Sequence, residues 1–155
     1  MRLTRFTDYS LRVLLLVGTA PGGQASVGEV ARAFGISRHH LVKVAGLLGR
    51  HGLLASVRGR GGGLRLALPP SAINLGRVVR ATEGESLLAE CFEPGSNLCA
   101  ISGACRLSGV LREALAGFYR VLDSYTLQDL LERPAELVAI LHRRDFRERD
   151  ALTGI

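Results

Sequence analysis

The chain has 155 residues, of which 47% are hydrophobic and 22% charged, enough apolar material for one packed core; this excludes a disordered or fibrous protein. Its longest apolar run, residues 13–17, is far shorter than the roughly 20 residues that a transmembrane helix needs, and its flanking charges are unlike those of a signal peptide. We therefore expect a soluble, cytoplasmic protein without a membrane partner.

The positive charge is concentrated in the first half of the chain. Residues 1–70 contain ten Arg or Lys and two acids, a net charge of +8, whereas residues 71–155 contain ten Arg and twelve acids, a net charge of −2. A basic segment joined to a nearly neutral one is typical of a module that binds a polyanion and is linked to a second function.

Three helices are predicted in the first 52 residues. In the first, Thr7 is the candidate N-cap, and apolar residues recur at helical spacing. In the second, Ser26 and Glu29 have the spacing of a capping box, and a glycine ends the helix. Ser37 can cap the third, which extends to a stop at Gly52. The two short helices and their tight turn predict a helix-turn-helix, with the last helix as the recognition helix.

A β-hairpin is predicted after the recognition helix. Two short apolar runs flank an Arg/Gly segment, residues 59–63, which indicates a wing with a loose, cationic tip. A solvated basic helix and a flexible hairpin would account for any one of these features, but their ordered combination favours double-stranded DNA as the partner. The candidate DNA-contacting residues are Ser37, Arg38, His39, His40, Lys43, Arg50, Arg58 and Arg60.

The second half begins with a short helix capped by Asn74 and continues into a loop rich in Gly, Pro, Ser and Asn. Over residues 105–122 apolar side chains recur at spacings of three and four, which predicts a helix about 27 Å long. A small winged module cannot bury such a helix completely, so we expect a partner subunit to cover it. Thr126 and Asp129 can cap a further short helix, and Pro134 suits the first turn of another.

All three cysteines lie in that loop segment, at Cys91, Cys99 and Cys105. The loop composition argues against three buried core thiols. Zinc sites usually have closer cysteine pairs and a fourth Cys or His, and no histidine occurs between His51 and His142. A thiol redox switch remains open. An iron–sulfur cluster is favoured, because thiolates hold iron and Cys105 begins a helix, where negative charge is stabilised.

Several segments, in this order along the chain, resemble the bacterial iron–sulfur winged-helix transcription regulators. They are MRLTRFTDYSLRVLLLV, HLVKVAGLLGRHGLL, VRGRGGGLRLA, INLGRVVRATEG, CFEPGSNLCAISGACRL and LDSYTLQDLL. Within the family the likeness is to the nitric-oxide-sensing repressors of the NsrR type more than to the cluster-biogenesis regulators of the IscR type. A histidine just after the third cysteine, as in the IscR type, is absent here.

The resemblance implies a homodimer whose long helices cross at the interface and which binds a palindromic operator. The three cysteines match the family's cluster ligands, and Asp8 of the partner subunit can complete the coordination. Glu85 is the reserve ligand, and with Arg12 it could instead support the site. A 4Fe-4S cluster is preferred, with a 2Fe-2S cluster as the alternative.

The expected function is transcriptional repression relieved by nitric oxide, with the cluster controlling DNA affinity. The same cysteines could instead sense redox state, iron or oxygen, with or without a cluster. An iron–sulfur electron carrier or redox enzyme is disfavoured, because the sequence offers no nucleotide-binding loop or general base and the basic half would be unexplained.

The expected fold is mainly α with a small β-hairpin, composed of a winged helix-turn-helix domain and a long dimerisation helix. We expect the winged DNA-binding domain in residues 1–70 and a linking helix with the cluster-binding loop in residues 71–104. The dimerisation helix and a following short helix would occupy residues 105–133. A C-terminal helix and tail would occupy residues 134–155.

Overall fold

A computed structural model describes residues 2–59, 61–84, 92, 97–102, 104–132 and 134–142. The helices in this part of the chain are α1 (Arg5–Thr19), α2 (Val27–Phe34), α3 (Arg38–Arg50), α4 (Leu75–Glu83), α5 (Arg106–Asp123), α6 (Leu127–Leu130) and α7 (Pro134–Leu141). The strands are β1 (Gln24–Ala25), β2 (Leu54–Val57) and β3 (Gly63–Leu66), and short 3-10 turns cover Pro21–Gly23 and Pro70–Ala72. The mainly α winged-helix fold is confirmed. None of the described helices is long and apolar enough to cross a bilayer.

Helix α1 begins one turn earlier than the sequence indicated. Its N-cap is Thr4, whose side-chain oxygen accepts the backbone N–H of Thr7 at 3.2 Å. Thr7 itself lies inside the helix and is fully buried, so its assignment as the N-cap is wrong. Both threonines can cap a helix; Thr4 has the extended backbone of an N-cap, whereas Thr7 is packed into the core.

The helix-turn-helix has the end signals that the sequence predicts. Ser26 and Glu29 form a reciprocal capping box at the start of α2, and Gly35 ends it with a left-handed φ of 64°. Ser37 caps the start of α3. At its end, the N–H of Gly52 donates to the carbonyl oxygen of Gly49, and the N–H of Leu53 donates to the carbonyl oxygen of Leu48. This pattern is a Schellman motif, and it directs the chain straight into β2.

The wing is part of a three-stranded antiparallel sheet rather than an isolated hairpin. The strand order is β1-β3-β2, and β1 pairs Gln24 with Arg65 and Ala25 with Leu64. Strand β1 was not predicted, because two residues are too few to show an alternating pattern. A Cβ at Gly63 would lie 2.7 Å from the Ala25 carbonyl oxygen, so the approach of β1 to β3 requires glycine there.

One core joins the winged module to α4 and α6. Buried side chains from α1, α2, α3 and the sheet pack with Ile73, Val78, Leu127 and Leu131. Asn74 caps α4 as predicted, and the segment before α6 pairs with it through an Asn74–Thr126 bridge. The backbone N–H of Leu127 donates to Ile73 at 2.8 Å. Helices α4 and α6 are therefore held to the winged module by core packing and backbone bonds.

Helix α5 has no buried residue, although all 18 of its residues are described. Leu107 and Val110 are each 61% exposed and Val121 is 60% exposed. Its bounds agree with the predicted range of residues 105–122 to within one residue. An amphipathic helix with an uncovered apolar face indicates a surface that another chain can bury.

Candidate DNA interface and cysteine site

Helix α3 presents one apolar and one polar face. Leu41, Val44 and Leu48 are buried on the inner side. Every predicted DNA-contacting residue that the structure describes is exposed. These residues are Ser37, Arg38, His39, His40, Lys43, Arg50 and, on the wing, Arg58. Arg60 lies outside the described residues. An exposed basic helix at the surface of a helix-turn-helix has the arrangement needed to enter a major groove.

The first turn of α3 is in contact with the elements on either side of it. The ring of His40 lies 6.2 Å, centroid to centroid, from that of Tyr9 on α1. The Arg38 guanidinium folds back over the first turn of α2, where a Cβ at Gly28 would lie 3.2 Å from its Nη2 atom. The Arg38 side chain nevertheless remains exposed.

Two hydrogen bonds are present at the wing tip, on either side of Arg60, and the predicted looseness of the tip stays a prediction. The Gln24 side-chain amide donates to the carbonyl oxygen of Gly61 at 2.5 Å, and the N–H of Gly62 donates to Gly59 at 2.9 Å. Gly59 and Gly61 have φ values of 102° and 82°, which non-glycine residues rarely adopt. Sequence reasoning missed Gln24, because its partner lies 37 residues further along the chain.

Two of the three cysteines lie in the described part of the chain. Cys99 is exposed in a turn where its backbone N–H donates to Asn97 Oδ1 at 3.1 Å, and Cys105 is half-buried at the N-cap of α5. Cys91 and Glu85 lie outside the described residues. Within the residues that are described, no group of three His, Cys, Asp or Glu side chains surrounds a common point. The convergence of Cys91, Cys99 and Cys105 on one cluster therefore stays a prediction.

The donor chemistry of the segment fits an iron–sulfur cluster. Cys99 and Cys105 form no disulfide in the described part of the chain. The Cys105 side chain makes no capping hydrogen bond, so the sulfur is available beside the first N–H groups of α5, where negative charge is favoured. Thiolates are the usual protein ligands of such clusters.

Asp8 lies in the first turn of α1 and forms an ion pair with Arg12 one turn later. Arg12 Nε donates to Asp8 Oδ1 at 3.0 Å, and Arg12 Nη2 lies 2.9 Å from Oδ2. Both side chains are more than 40% exposed, and exposed pairs at this spacing contribute only about 0.3–0.5 kcal/mol. Arg12 also lies over the ring of Phe34, at 5.6 Å from its centroid. Asp8 can thus leave Arg12 at small cost, while Arg12 keeps a contact with α2.

Glu83 is a carboxylate that sequence reasoning did not select. It is the last residue of α4, and its Oε1 accepts the backbone N–H of Thr4 at 2.7 Å. Its Oε2 is buried and has no hydrogen-bond partner among the described residues. Glu83 thus joins the start of the helix that carries Asp8 to the end of α4, the last helix before the cysteines. Nothing local in the sequence signals a contact across 79 residues.

The C-terminal end of α5 is fastened to α4. The pKa of Asp123 is lowered by hydrogen bonds from Arg80, and the pKa of Arg80 is raised by the same pair. The Arg80 guanidinium also lies 4.3 Å from the centroid of the Tyr119 ring. The Asn74 side chain donates to the Asp123 carbonyl at 2.7 Å. Helix α5 therefore has an ordered attachment at one end and begins at a candidate cluster ligand at the other.

Comparison with known proteins gives a consistent family. Residues 3–133 match the profile of the Rrf2 family, described as iron-dependent transcriptional regulators. The chain is 44% identical to the HTH-type transcriptional regulator NsrR of Bacillus subtilis over 94% of its length and all of that protein. It is 49% identical to NsrR of Halalkalibacterium halodurans, over 91% of this chain and 97% of the relative.

Solved structures have the same fold. The T. potens IscR structure aligns with a TM-score of 0.70 and 25% identity, covering 88% of this chain and 90% of that one. The oxidised form of Staphylococcus aureus CymR aligns with a TM-score of 0.67 and 27% identity, covering 85% and 97%.

Proposed function

Since the chain belongs to the Rrf2 family of iron-dependent transcriptional regulators, we propose that it is a nitric-oxide-responsive repressor that binds a palindromic operator as a homodimer and whose DNA affinity is controlled by an iron–sulfur cluster. The family is not enzymatic, and the winged helix-turn-helix is its DNA-binding part. The observation that carries the proposal is that the helix beginning at Cys105 has no buried residue over its whole described length.

The uncovered face of α5 supports the homodimer. Leu107, Val110 and Val121 are each at least 60% exposed, and their burial would contribute more than half of the about 1.5–3 kcal/mol that full burial of such a side chain is worth. A twofold contact would bury the same side chains on both subunits and would fix the spacing of the two α3 helices. Two recognition helices at a fixed spacing read two half-sites, which is why we propose a palindromic operator.

The residues that would hold the cluster are Cys91, Cys99 and Cys105, with the partner subunit's Asp8 as the fourth ligand. When bound, the cluster supplies iron that can bind nitric oxide. Asp8 would give up its weak ion pair with Arg12, and Arg12 would remain over Phe34. Glu85 stays the reserve ligand. The buried, unpartnered Oε2 of Glu83 makes that residue a further candidate for supporting the site.

Control of DNA affinity follows from the two different ends of α5. The end at Asp123 is attached to α4 and through it to the core. The end at Cys105 is attached through the cysteine segment. Release of the thiol ligands would free only the second end, so α5 could change its angle and with it the spacing of the α3 helices. A tenfold loss of affinity needs a differential stabilisation of only about 1.4 kcal/mol.

The test is anaerobic purification followed by iron and sulfide analysis, absorption spectroscopy and DNA binding before and after nitric oxide. We expect a coloured protein that contains both elements and loses operator affinity when nitric oxide is added. The absorption spectrum would also distinguish the preferred 4Fe-4S cluster from a 2Fe-2S cluster. Absence of iron and sulfide, or unchanged DNA affinity after nitric oxide, would contradict the proposal.

A second candidate function uses the same DNA-binding module but senses redox state directly through the thiols. It is favoured by the exposed Cys99 side chain, which is accessible to an oxidant. This function predicts a colourless protein whose thiol mass changes on oxidation while its DNA affinity shifts. Iron or oxygen as the signal would instead change cluster content without nitric oxide.

A further inference from the structure

From the contacts of the wing we infer that Gln24 is a positioning residue for DNA binding: it holds the wing tip in the conformation that presents Arg58 to the duplex. Gln24 lies on β1, outside the recognition helix and outside the wing itself. The inference uses the DNA-binding part of the proposed function and is independent of the cluster.

The wing tip needs such a restraint because of its composition. Residues 59 and 61–63 are all glycine, and glycine loses more conformational freedom on ordering than any other residue. A tip that is ordered only when DNA binds would weaken binding by the cost of that ordering. A restraint already present in the free protein removes this cost.

The restraint visible in the structure comes from β1. The Gln24 amide donates to the Gly61 carbonyl at 2.5 Å, while the Gln24 backbone is paired with Arg65 of β3. The side chain therefore spans from the base of the wing to its tip. On the other side of the tip, the backbone at Gly62 is so close to the Val57 carbonyl that no Cβ would fit. Gly61 and Gly62 are thus confined between β2 on one side and the Gln24 amide on the other.

Arg58 is the side chain that benefits from this arrangement. It is exposed, it directly follows β2, and it precedes Gly59, whose carbonyl accepts the N–H of Gly62 in the tip turn. Gly61, the residue held by Gln24, lies within the same turn. Loss of the Gln24 bond would let the turn open and would spread Arg58 over many positions relative to the phosphates.

A double-mutant cycle tests the inference. The probe is a single duplex that the wild-type protein selects from a random-sequence DNA library, and the dissociation constant is measured by fluorescence anisotropy. We expect Gln24→Ala and Arg58→Ala each to weaken binding by about three- to tenfold. In the Gln24→Ala background, Arg58→Ala should lose most of its effect, because Arg58 is no longer held in place.

Two controls separate positioning from other roles. A second cycle pairs Gln24→Ala with Lys43→Ala on α3, and here the two fold-changes should multiply. Gln128→Ala, which alters the other glutamine of the chain, an exposed residue on α6, should leave affinity unchanged. If Gln24→Ala does not fold, Gln24→Met takes its place, since it keeps the side-chain length and removes the donor without adding charge.

The inference is overturned if the Gln24 and Arg58 fold-changes multiply, as they would if Gln24 contacted DNA itself. It is also overturned if both Gln24 variants bind as tightly as the wild type. A wild-type protein that selects no duplex would instead contradict the DNA-binding function, so the two failures are distinguishable.

Discussion

Asp123 of α5 accepts two hydrogen bonds from the guanidinium of Arg80 on α4, one to each carboxylate oxygen, at 2.6 and 2.7 Å. A Cβ at Gly76 would collide with the same carboxylate, so α4 has a glycine where Asp123 approaches it. This pair is exposed, and it fixes the geometry of the α4–α5 junction more than it stabilises the fold. It is the point about which we expect α5 to turn.

The first prediction concerns this junction. Asp123→Asn should reduce the ratio between the DNA affinities of the cluster-bound and cluster-free forms by about threefold or more. Without the Arg80 pair, the Asp123 end of α5 would move together with the Cys105 end, and the angle of the helix would change less. Glu113→Gln, on the same helix and without an ion pair in the described part of the chain, is the matched control and should keep the wild-type ratio. An unchanged ratio in Asp123→Asn would exclude the junction as the turning point.

The pH dependence of the same pair has a definite sign. The folded-state pKa of Asp123 is lowered below its ordinary value of 3.8, chiefly by hydrogen bonds from Arg80. Its contribution to stability is therefore present above that value and is lost as the pH falls through the lower folded-state pKa. The difference in unfolding midpoint temperature between wild type and Asp123→Asn should shrink as the pH falls below about 4. A difference that grows on acidification would contradict this assignment.

The second prediction concerns the capping box of α2. Ser26→Ala removes the acceptor for the Glu29 N–H and should lower the free energy of unfolding by about 1 kcal/mol. Ser71→Ala, at an exposed serine in a 3-10 turn without a side-chain cap, should have little effect.

The pKa of Glu29 is lowered chiefly by the backbone N–H of Ser26. The contribution of Glu29 to stability is therefore present above its ordinary pKa of 4.5 and is lost on acidification below that value. Denaturant unfolding at neutral and acidic pH measures both effects.

Local signals in the sequence predicted most of the helix boundaries. The Ser26 and Glu29 box and the Thr126 and Asp129 box form over three residues, so spacing alone identifies them. Each depends on two side chains three residues apart and the backbone N–H groups next to them. The N-cap of α1 was placed at Thr7 instead of Thr4, because the two residues are of the same type and the burial of Thr7 depends on tertiary packing.

Contacts between distant segments were not predictable in this way. The bond from Gln24 to Gly61 and the bond from Glu83 to Thr4 each join elements that meet only after folding. The two-residue β1 has no pattern of its own and exists because β3 offers it an edge. The cysteine ligands and the DNA contacts involve a cofactor and a duplex that no local sequence pattern positions, so they are predicted from side-chain chemistry and family resemblance.

The third prediction concerns the dimer. Val110→Lys places a charge on the exposed face of α5 and should raise the dimer dissociation constant at least about tenfold, since it removes apolar burial and places like charges together across a twofold axis. Ile140→Lys on α7 is the matched control, because Ile140 is 58% exposed on a different helix. Sedimentation velocity over a concentration series measures both. A control variant that dissociates while Val110→Lys stays dimeric would move the interface from α5 to α7.

The last prediction concerns the source of the fourth ligand. Asp8→Ala should lower the iron content and shorten the lifetime of the cluster in air, because it removes the proposed fourth ligand. The Asp8 carboxylate is available for that role, since it is exposed and its ion pair with Arg12 is weak. Cys105→Ser should lower the iron content further, since it removes a thiolate.

A mixed dimer with one Asp8→Ala subunit and one Cys105→Ser subunit then shows which subunit's cluster Asp8 serves. If Asp8 serves the partner's cluster, the Asp8→Ala subunit keeps its own cysteines and receives Asp8 from the other chain, so one complete site forms. If Asp8 serves its own subunit, neither site is complete. Iron analysis and absorption of dimers purified through two different tags should give about half of the wild-type cluster content in the first case. A content no higher than that of either parent variant would assign Asp8 to its own subunit, whereas wild-type content in the Asp8→Ala parent would remove Asp8 from the ligand set.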